Sequence, residues 1–188
     1  MDSSCWPNPT SSYQACTSLR QVAKLTFAES NAYAEQLLAQ EYEFLQRLSH
    51  PNLPVAYSWG IMNTSPRCVF YAMNLCDGGS LKQLIEHRNS EAALVVPDSV
   101  ASLIFSTLEM SRTLKGVMNG LCHMHLQEVA HLDVKPDNVL FDHGNRPILS
   151  DLGISRRLTF PGGTLTGMCG TDGFMAPEVE RIFYHSWL

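Results

Sequence analysis

The chain lacks a surplus of positive charge: 13 Lys and Arg stand against 18 Asp and Glu, a net charge of -5. That balance argues against a nucleic-acid partner, which calls for a basic face. No apolar run approaches the ~18 residues needed to span a bilayer, so no membrane partner is expected. The opening MDSSCWPNPTSS has neither a positive n-region nor an apolar h-region, so it does not read as a secretory signal. The six cysteines (Cys5, Cys16, Cys68, Cys76, Cys122, Cys169) are scattered and contain no Cys-x-x-Cys. They read as reduced thiols, which points to the cytosol or the nucleus. Internal repeats are absent, and no glycine occurs before Gly60.

What is present is enough for a folded core. The 188 residues are 45% hydrophobic and 16% charged, enough for one sizeable domain or two small lobes. Residues 1–19, rich in Ser, Thr, Pro and Asn, predict an irregular leader. RQVAKLTF, residues 20–27, predicts a strand. From Ser30 to His50 the period is helical, with Leu37, Leu38, Glu41, Phe44, Leu45 and Leu48 on one face. Ser30 or Asn31 is the expected cap and Pro51 the stop. Leu53–Trp59 and Cys68–Leu75 predict strands. After the Asp77-Gly78-Gly79 break, Ser80–Arg88 predicts a short helix and 89–97 a loop. Asp98 is the expected cap of a long helix to about Leu126, with Val100, Leu103, Ile104, Leu108, Leu114, Val117 and Leu121 at helical spacing. Short strands and loops follow. The class is therefore α+β, with a strand-rich part first and a helical part second.

Three places carry chemistry. Glu41 lies on the apolar face of its helix, where a carboxylate is costly unless paired. Lys24, inside a short apolar strand, is the nearest unexplained partner. Read blandly, Glu41 sits at the edge of the stripe and Lys24 is an edge-strand lysine. Asp151, in Ser150-Asp151-Leu152-Gly153, is delivered to the end of an apolar strand. Such a carboxylate suits a hard cation such as Mg²⁺, although a strand-ending Asp-x-Gly is also an ordinary turn. HLDVKPDNVLF, residues 131–141, sets Asp133, Lys135 and Asn138 beside a buried run. Asp133 can accept a proton from a hydroxyl, Lys135 can neutralise phosphate, and Asn138 can offer an amide oxygen to a metal. Together these are the parts of phosphoryl transfer, in which positioning and charge neutralisation dominate. Cys122, His123 and His125 make a poor metal chelator, because helix residues two apart point in different directions.

HLDVKPDNVLF, SDLGIS and GTDGFMAPEV, in this order and spacing, resemble the eukaryotic protein kinases of the Ser/Thr type. EYEFLQRLSHPN is similar to the family's C-helix, and YAMNLCDGGSL to its gatekeeper and hinge. The resemblance runs from about Lys24 to Glu178. It implies a bilobal kinase-like fold: leader 1–19, partial first lobe 20–76, partial second lobe 77–178, and tail 179–188. It implies ATP and Mg²⁺ as ligands and protein Ser/Thr hydroxyls as substrates. By the same resemblance Lys24, held by Glu41, contacts the α- and β-phosphates. Met73 is the gatekeeper, Cys76 the hinge residue at adenine, and Leu140 the apolar residue under the ring. Asp133 is the catalytic base, and Lys135 contacts the transferred group. Asn138 and Asp151 are the metal ligands. Leu45, His131 and Leu152 belong to an apolar stack, and Thr171 bonds the catalytic aspartate. Lys135-Pro136 and Gly170-Thr171 are what mark the Ser/Thr type.

The chain also departs from that pattern. Leu132 stands where many kinases carry arginine, and leucine cannot grip a phosphate on the activation segment. The stretch where the resemblance places a glycine-rich phosphate loop reads DSSCWP. A backbone that must approach phosphate wants glycine there, because a Cβ obstructs it. Beyond Glu178 only ten residues remain. The first strand with its loop, and most helices of the second lobe, are thus expected to be lacking. An apolar face over 100–126 would then be left for a protein partner to cover. The alternative to an enzyme is a pseudokinase-like binding module that keeps the side chains but competes for partners.

Overall fold

A computed structural model describes residues 13–16, 21–27, 32–62, 68–94, 106–158, 165, 169–177 and 179. They fall into two compact units, one drawn from Met1–Ser49 and Leu53–Leu75 and the other from His50–Asn52 and Cys76–Leu188. Three residues of the first half, His50–Asn52, thus belong to the second unit.

The first unit is a four-stranded antiparallel sheet with one helix. The strands are β1 (Tyr13–Cys16), β2 (Gln21–Phe27), β3 (Ala56–Met62) and β4 (Cys68–Asn74), in the order β1-β2-β4-β3. β1 corrects the expected irregular leader: Tyr13 to Cys16 pair in register with Lys24 to Gln21. The pairing uses backbone groups alone, which a polar composition does not prevent. Central β4 buries Cys68, Val69, Tyr71 and Met73. β3 begins at Ala56, three residues later than expected, and carries an irregularity between Ala56 and Ser58. At Gly60 a Cβ would lie 2.5 Å from the end of the Phe70 ring, so any larger residue there must displace that ring.

Helix α1 (Ala32–Arg47) buries Leu38, Glu41, Phe44 and Leu45, and Leu48 just beyond it is buried too, as the period predicts; Leu37 of the predicted face is half-buried. It ends before Pro51, and the expected caps Ser30 and Asn31 lie outside the described residues.

The second unit holds helices α2 (Leu81–Leu94) and α3 (Thr107–Leu126) and four short strands: β5 (Val129–Ala130), β6 (Val139–Phe141), β7 (Pro147–Leu149) and β8 (Arg156–Arg157). β6 pairs with β7 and β5 with β8, both antiparallel. α2 runs six residues past the predicted Arg88, into the expected loop. α3 begins at Thr107 under a capping box in which Ser106 and Glu109 satisfy each other's backbone N–H groups. Arg88 bridges to Glu109 at 2.9 Å. The Arg88 bond and then the Ser106 bonds hold the Glu109 carboxyl at about 2. The expected cap Asp98 and the apolar positions Val100, Leu103 and Ile104 lie outside the described residues.

The buried face of α3 matches the predicted one only in part: Val117 is buried and Leu121 half-buried, as expected. It consists of Thr113, Gly116, Val117, Gly120 and Met124, while Leu108 and Leu114 are exposed together with Met110 and Met118. The physical reason is close approach. A Cβ at Gly116 would stand 2.3 Å from Pro147 Cγ, so the side of the helix facing β7 must be small rather than apolar. No helix among the described residues is long and apolar enough to cross a membrane.

Candidate active site

In the first unit, β2 and α1 bring together the two charges singled out in the sequence. Lys24 Nζ donates to both Glu41 oxygens, at 3.0 and 2.8 Å. Glu41 is only 3% exposed, so the edge-of-stripe reading of this carboxylate is wrong. The pair is fixed at both ends, Lys24 by the β2–β4 ladder opposite Tyr71 and Glu41 by the buried face of α1. Met73 is buried on β4, opposite Val22.

In the second unit, Asp133 is the centre of a hydrogen-bonded cluster. Thr171 Oγ1 donates to its Oδ1 at 2.6 Å, Asn138 Nδ2 donates to its Oδ2 at 2.9 Å, and Lys135 Nζ lies 2.8 Å from the same Oδ2. Lys135 Nζ also donates to Thr171 Oγ1 at 2.6 Å. Burial alone would raise the Asp133 pKa. The bonds from Lys135, Thr171 and Asn138 outweigh burial and hold it below the ordinary carboxylate range. The result is an ionised carboxylate of fixed orientation.

The loop owes its shape to an unusual backbone. Leu132 has φ 69°, a left-handed value that costs a leucine about 1 kcal/mol or more. Buried His131 holds the next residue. Its Nδ1 accepts from the Asp133 N–H at 3.2 Å, and its Nε2 lies 3.0 Å from the Ser150 carbonyl. The two bonds require a neutral ring with the proton on Nε2, and burial lowers the His131 pKa in the same sense.

Asn138 closes the 3₁₀ turn Pro136–Asn138, directly before β6. Both Ser150 N and Ser150 Oγ donate to the Asn138 carbonyl, at 2.8 and 3.0 Å. This clamp ties the end of β7 to the start of β6, and Asp151 follows it with φ 64°. Asn138 spends its amide donors on Asp133 O and Oδ2, so its side-chain oxygen is the atom left to serve a cation. An amide oxygen and a carboxylate are hard donors that fit Mg²⁺.

Leu140 sits on β6 and bridges to Ser80, and Cys76 opens the second unit. Leu45, His131 and Leu152 are each buried within their own units. Of the conceivable chelating trio, Cys122 and His125 are exposed while His123 stacks on His50. Thr159, Thr164, Thr166 and Glu178 lie outside the described residues, as do positions 1–12 and the tail after Val179.

Three contacts at the site are not evident from the sequence. Lys82 on α2 pairs with Asp137 at 3.0 Å, both half-exposed, on the same turn as Asn138. Ser150 supplies the clamp just described, and Ser155 donates to the His131 carbonyl at 3.1 Å. Only the Asp137 carboxylate, one residue before Asn138, offered a signal. The serines carry none, because their partners lie 12 and 24 residues away.

The family described as "Protein kinase domain" matches residues 11–184. A "Calcium/calmodulin-dependent protein kinase" of Metarhizium anisopliae is 30% identical over 149 residues, 77% of this chain and 34% of that protein. The corresponding kinase cmkA of Emericella nidulans is 27% identical over 168 residues, 87% of this chain and 36% of that protein. "Serine/threonine-protein kinase cds1" of Schizosaccharomyces pombe is 26% identical over 158 residues, 84% of this chain and 31% of that protein. The chain spans about a third of the length of these curated relatives.

Proposed function

Because the chain belongs to the protein kinase family, we propose that it transfers the γ-phosphoryl group of ATP to serine or threonine hydroxyls of proteins. The observation that carries this reading is the Asp133 carboxylate, ionised and held by Thr171, Asn138 and Lys135. A base so oriented can receive a hydroxyl proton without prior rearrangement.

In this reading the substrate oxygen bonds to the γ-phosphorus as the bond to the β,γ-bridging oxygen breaks. The proton passes to Asp133, and ADP leaves. Lys135, whose amine is held beside the base by its bond to Thr171, neutralises charge on the transferred group. Lys24, anchored by Glu41, contacts the α- and β-phosphates. Asn138 and Asp151 hold Mg²⁺, which supplies charge neutralisation at the phosphates when bound. Met73, Cys76 and Leu140 receive the adenine end. The Lys135-Pro136 sequence and the Thr171 bond support hydroxyls of Ser and Thr as acceptors.

The test is incubation with labelled ATP, Mg²⁺ and a generic basic protein. Label transfer is expected, and Asp151→Asn abolishes it. Equal transfer by the variant would remove Asp151 from the mechanism. A second reading, a binding module without transfer, is favoured by one fact: no glycine precedes Gly60. It requires that neither label transfer nor stabilisation by ATP be seen.

Leu132 adds a regulatory expectation. Leucine offers no donor to a phosphate, so phosphorylation of the 151–178 segment is not a strict on-switch. Alanine at Thr159, Thr164 and Thr166 together leaves transfer within about threefold of the parent chain. A loss of a hundredfold in the same assay would reject this.

A further inference from the structure

The loop His50–Asn52 and helix α3 lie in the same compact unit and meet at two levels. At the first, Asn52 Nδ2 donates to the Pro147 carbonyl at 2.8 Å, and the Asn52 carbonyl accepts from Leu149 N at 2.9 Å. α3 runs close by, for a Cβ at Gly116 would stand 2.9 Å from Asn52 Nδ2. At the second level, about two turns or ~10 Å further along α3, His123 stacks on His50. Their ring centroids are 5.1 Å apart and their planes 25° apart.

The stack tolerates one protonation state. His50 Nδ1 accepts the Asn52 N–H at 3.1 Å, which only an unprotonated nitrogen can do. His123 Nε2 is buried with no hydrogen-bond partner among the described residues. Among the described residues no hydrogen bond or ion pair brings a carboxylate to either ring. Pro51, Asn52 and β7 (Pro147–Leu149) carry no ionisable side chain. On α3 the ionisable neighbours of His123 in sequence are Cys122 and His125, both exposed. Arg146, before β7, is engaged by Asp142.

We propose that the His50–His123 stack is an acid-released latch, which docks the His50–Asn52 loop on α3 while the His50 ring is neutral and lets it go when His50 gains a proton. A proton on His50 Nδ1 replaces an acceptor with a donor, facing the Asn52 N–H. It also sets a cation against the His123 ring stacked on it. Burial first, and the His123 neighbour second, lower the His50 pKa from its ordinary value. The folded chain therefore favours the neutral ring, and the unfolded chain takes up the proton sooner as pH falls. The latch contributes its full stability above the unfolded value of about 6.5 and loses it progressively below.

The experiment uses the full chain and His123→Phe, which keeps a stacked ring and removes the second proton site. Tm is measured from about pH 7.5 to 5.5. The parent is expected to lose about 2–4 °C more than the variant over this range. His131 lies in both proteins, so its own acid sensitivity cancels. In parallel, NMR follows the imidazole of His50, expected to titrate below an ordinary histidine in the parent and to rise toward it in the variant. Parallel Tm curves would overturn the latch, as would an ordinary His50 titration in the parent. That parent titration decides alone if the variant does not fold.

Discussion

Asp133→Asn is expected to lower kcat for phosphoryl transfer by about 10²- to 10⁴-fold, with KM for ATP nearly unchanged. The substitution keeps shape and removes the proton acceptor. It also presents an amide N–H to a ring of donors, since Thr171 Oγ1, Asn138 Nδ2 and Lys135 Nζ all point at the present carboxylate. One of the three must turn away, so the base is lost together with part of the order around it. Asp133 is not proposed to touch the nucleotide, which is why the effect falls on kcat. Steady-state kinetics with a protein acceptor check this, and a kcat within tenfold of the parent would exclude Asp133 as the base.

Lys24→Met is expected to destabilise the first unit by about 3 kcal/mol, as well as to remove a phosphate contact. Glu41 is 3% exposed and Lys24 17% exposed, so methionine leaves a buried carboxylate without its amine. Desolvation, not loss of attraction in water, sets that magnitude. The double variant Lys24→Met/Glu41→Leu recovers most of the stability, because an apolar pair of similar volume needs no counter-charge. Urea denaturation of the parent and both variants measures it. A single variant as stable as the parent would mean that the ion pair is weak despite its burial.

These expectations rest on parts that were legible for a local reason. Glu41 is conspicuous because the α1 stripe has a period that α1 also obeys in the fold. Asp133, Lys135 and Asn138 lie within six residues, so no long-range information was needed to group them. Asp151 follows a fully apolar strand, which the sequence displays openly. What was not legible depends on partners far along the chain. The buried face of α3 is dictated by Pro147 and Asn52, one of them 31 residues after Gly116 and the other 64 before. The apolar period therefore placed Val117 correctly but also Leu108 and Leu114, which are exposed. β1 forms through backbone pairing with β2, which polar side chains do not advertise. The extension of α2 past Arg88 rests on a weakly amphipathic segment, where period gives little guidance.

The departures carry information as well. Left-handed backbone at Leu132 and Asp151, neither a glycine, brackets the loop that holds Asp133 and Asn138. Strain of this kind persists only where surrounding bonds over-determine it. Here the His131 bonds to Asp133 N and Ser150 O, with the Ser150 clamp on Asn138, supply them.

The most direct test of the central claim is the thermal stabilisation of the chain by ATP with and without Mg²⁺. The account predicts a rise in Tm with Mg²⁺ and ATP together, lost on chelation of the metal, and lost separately in Lys24→Met and in Asp151→Asn, each measured against its own unliganded Tm. An undiminished rise in either variant, or a rise indifferent to the metal, would contradict it.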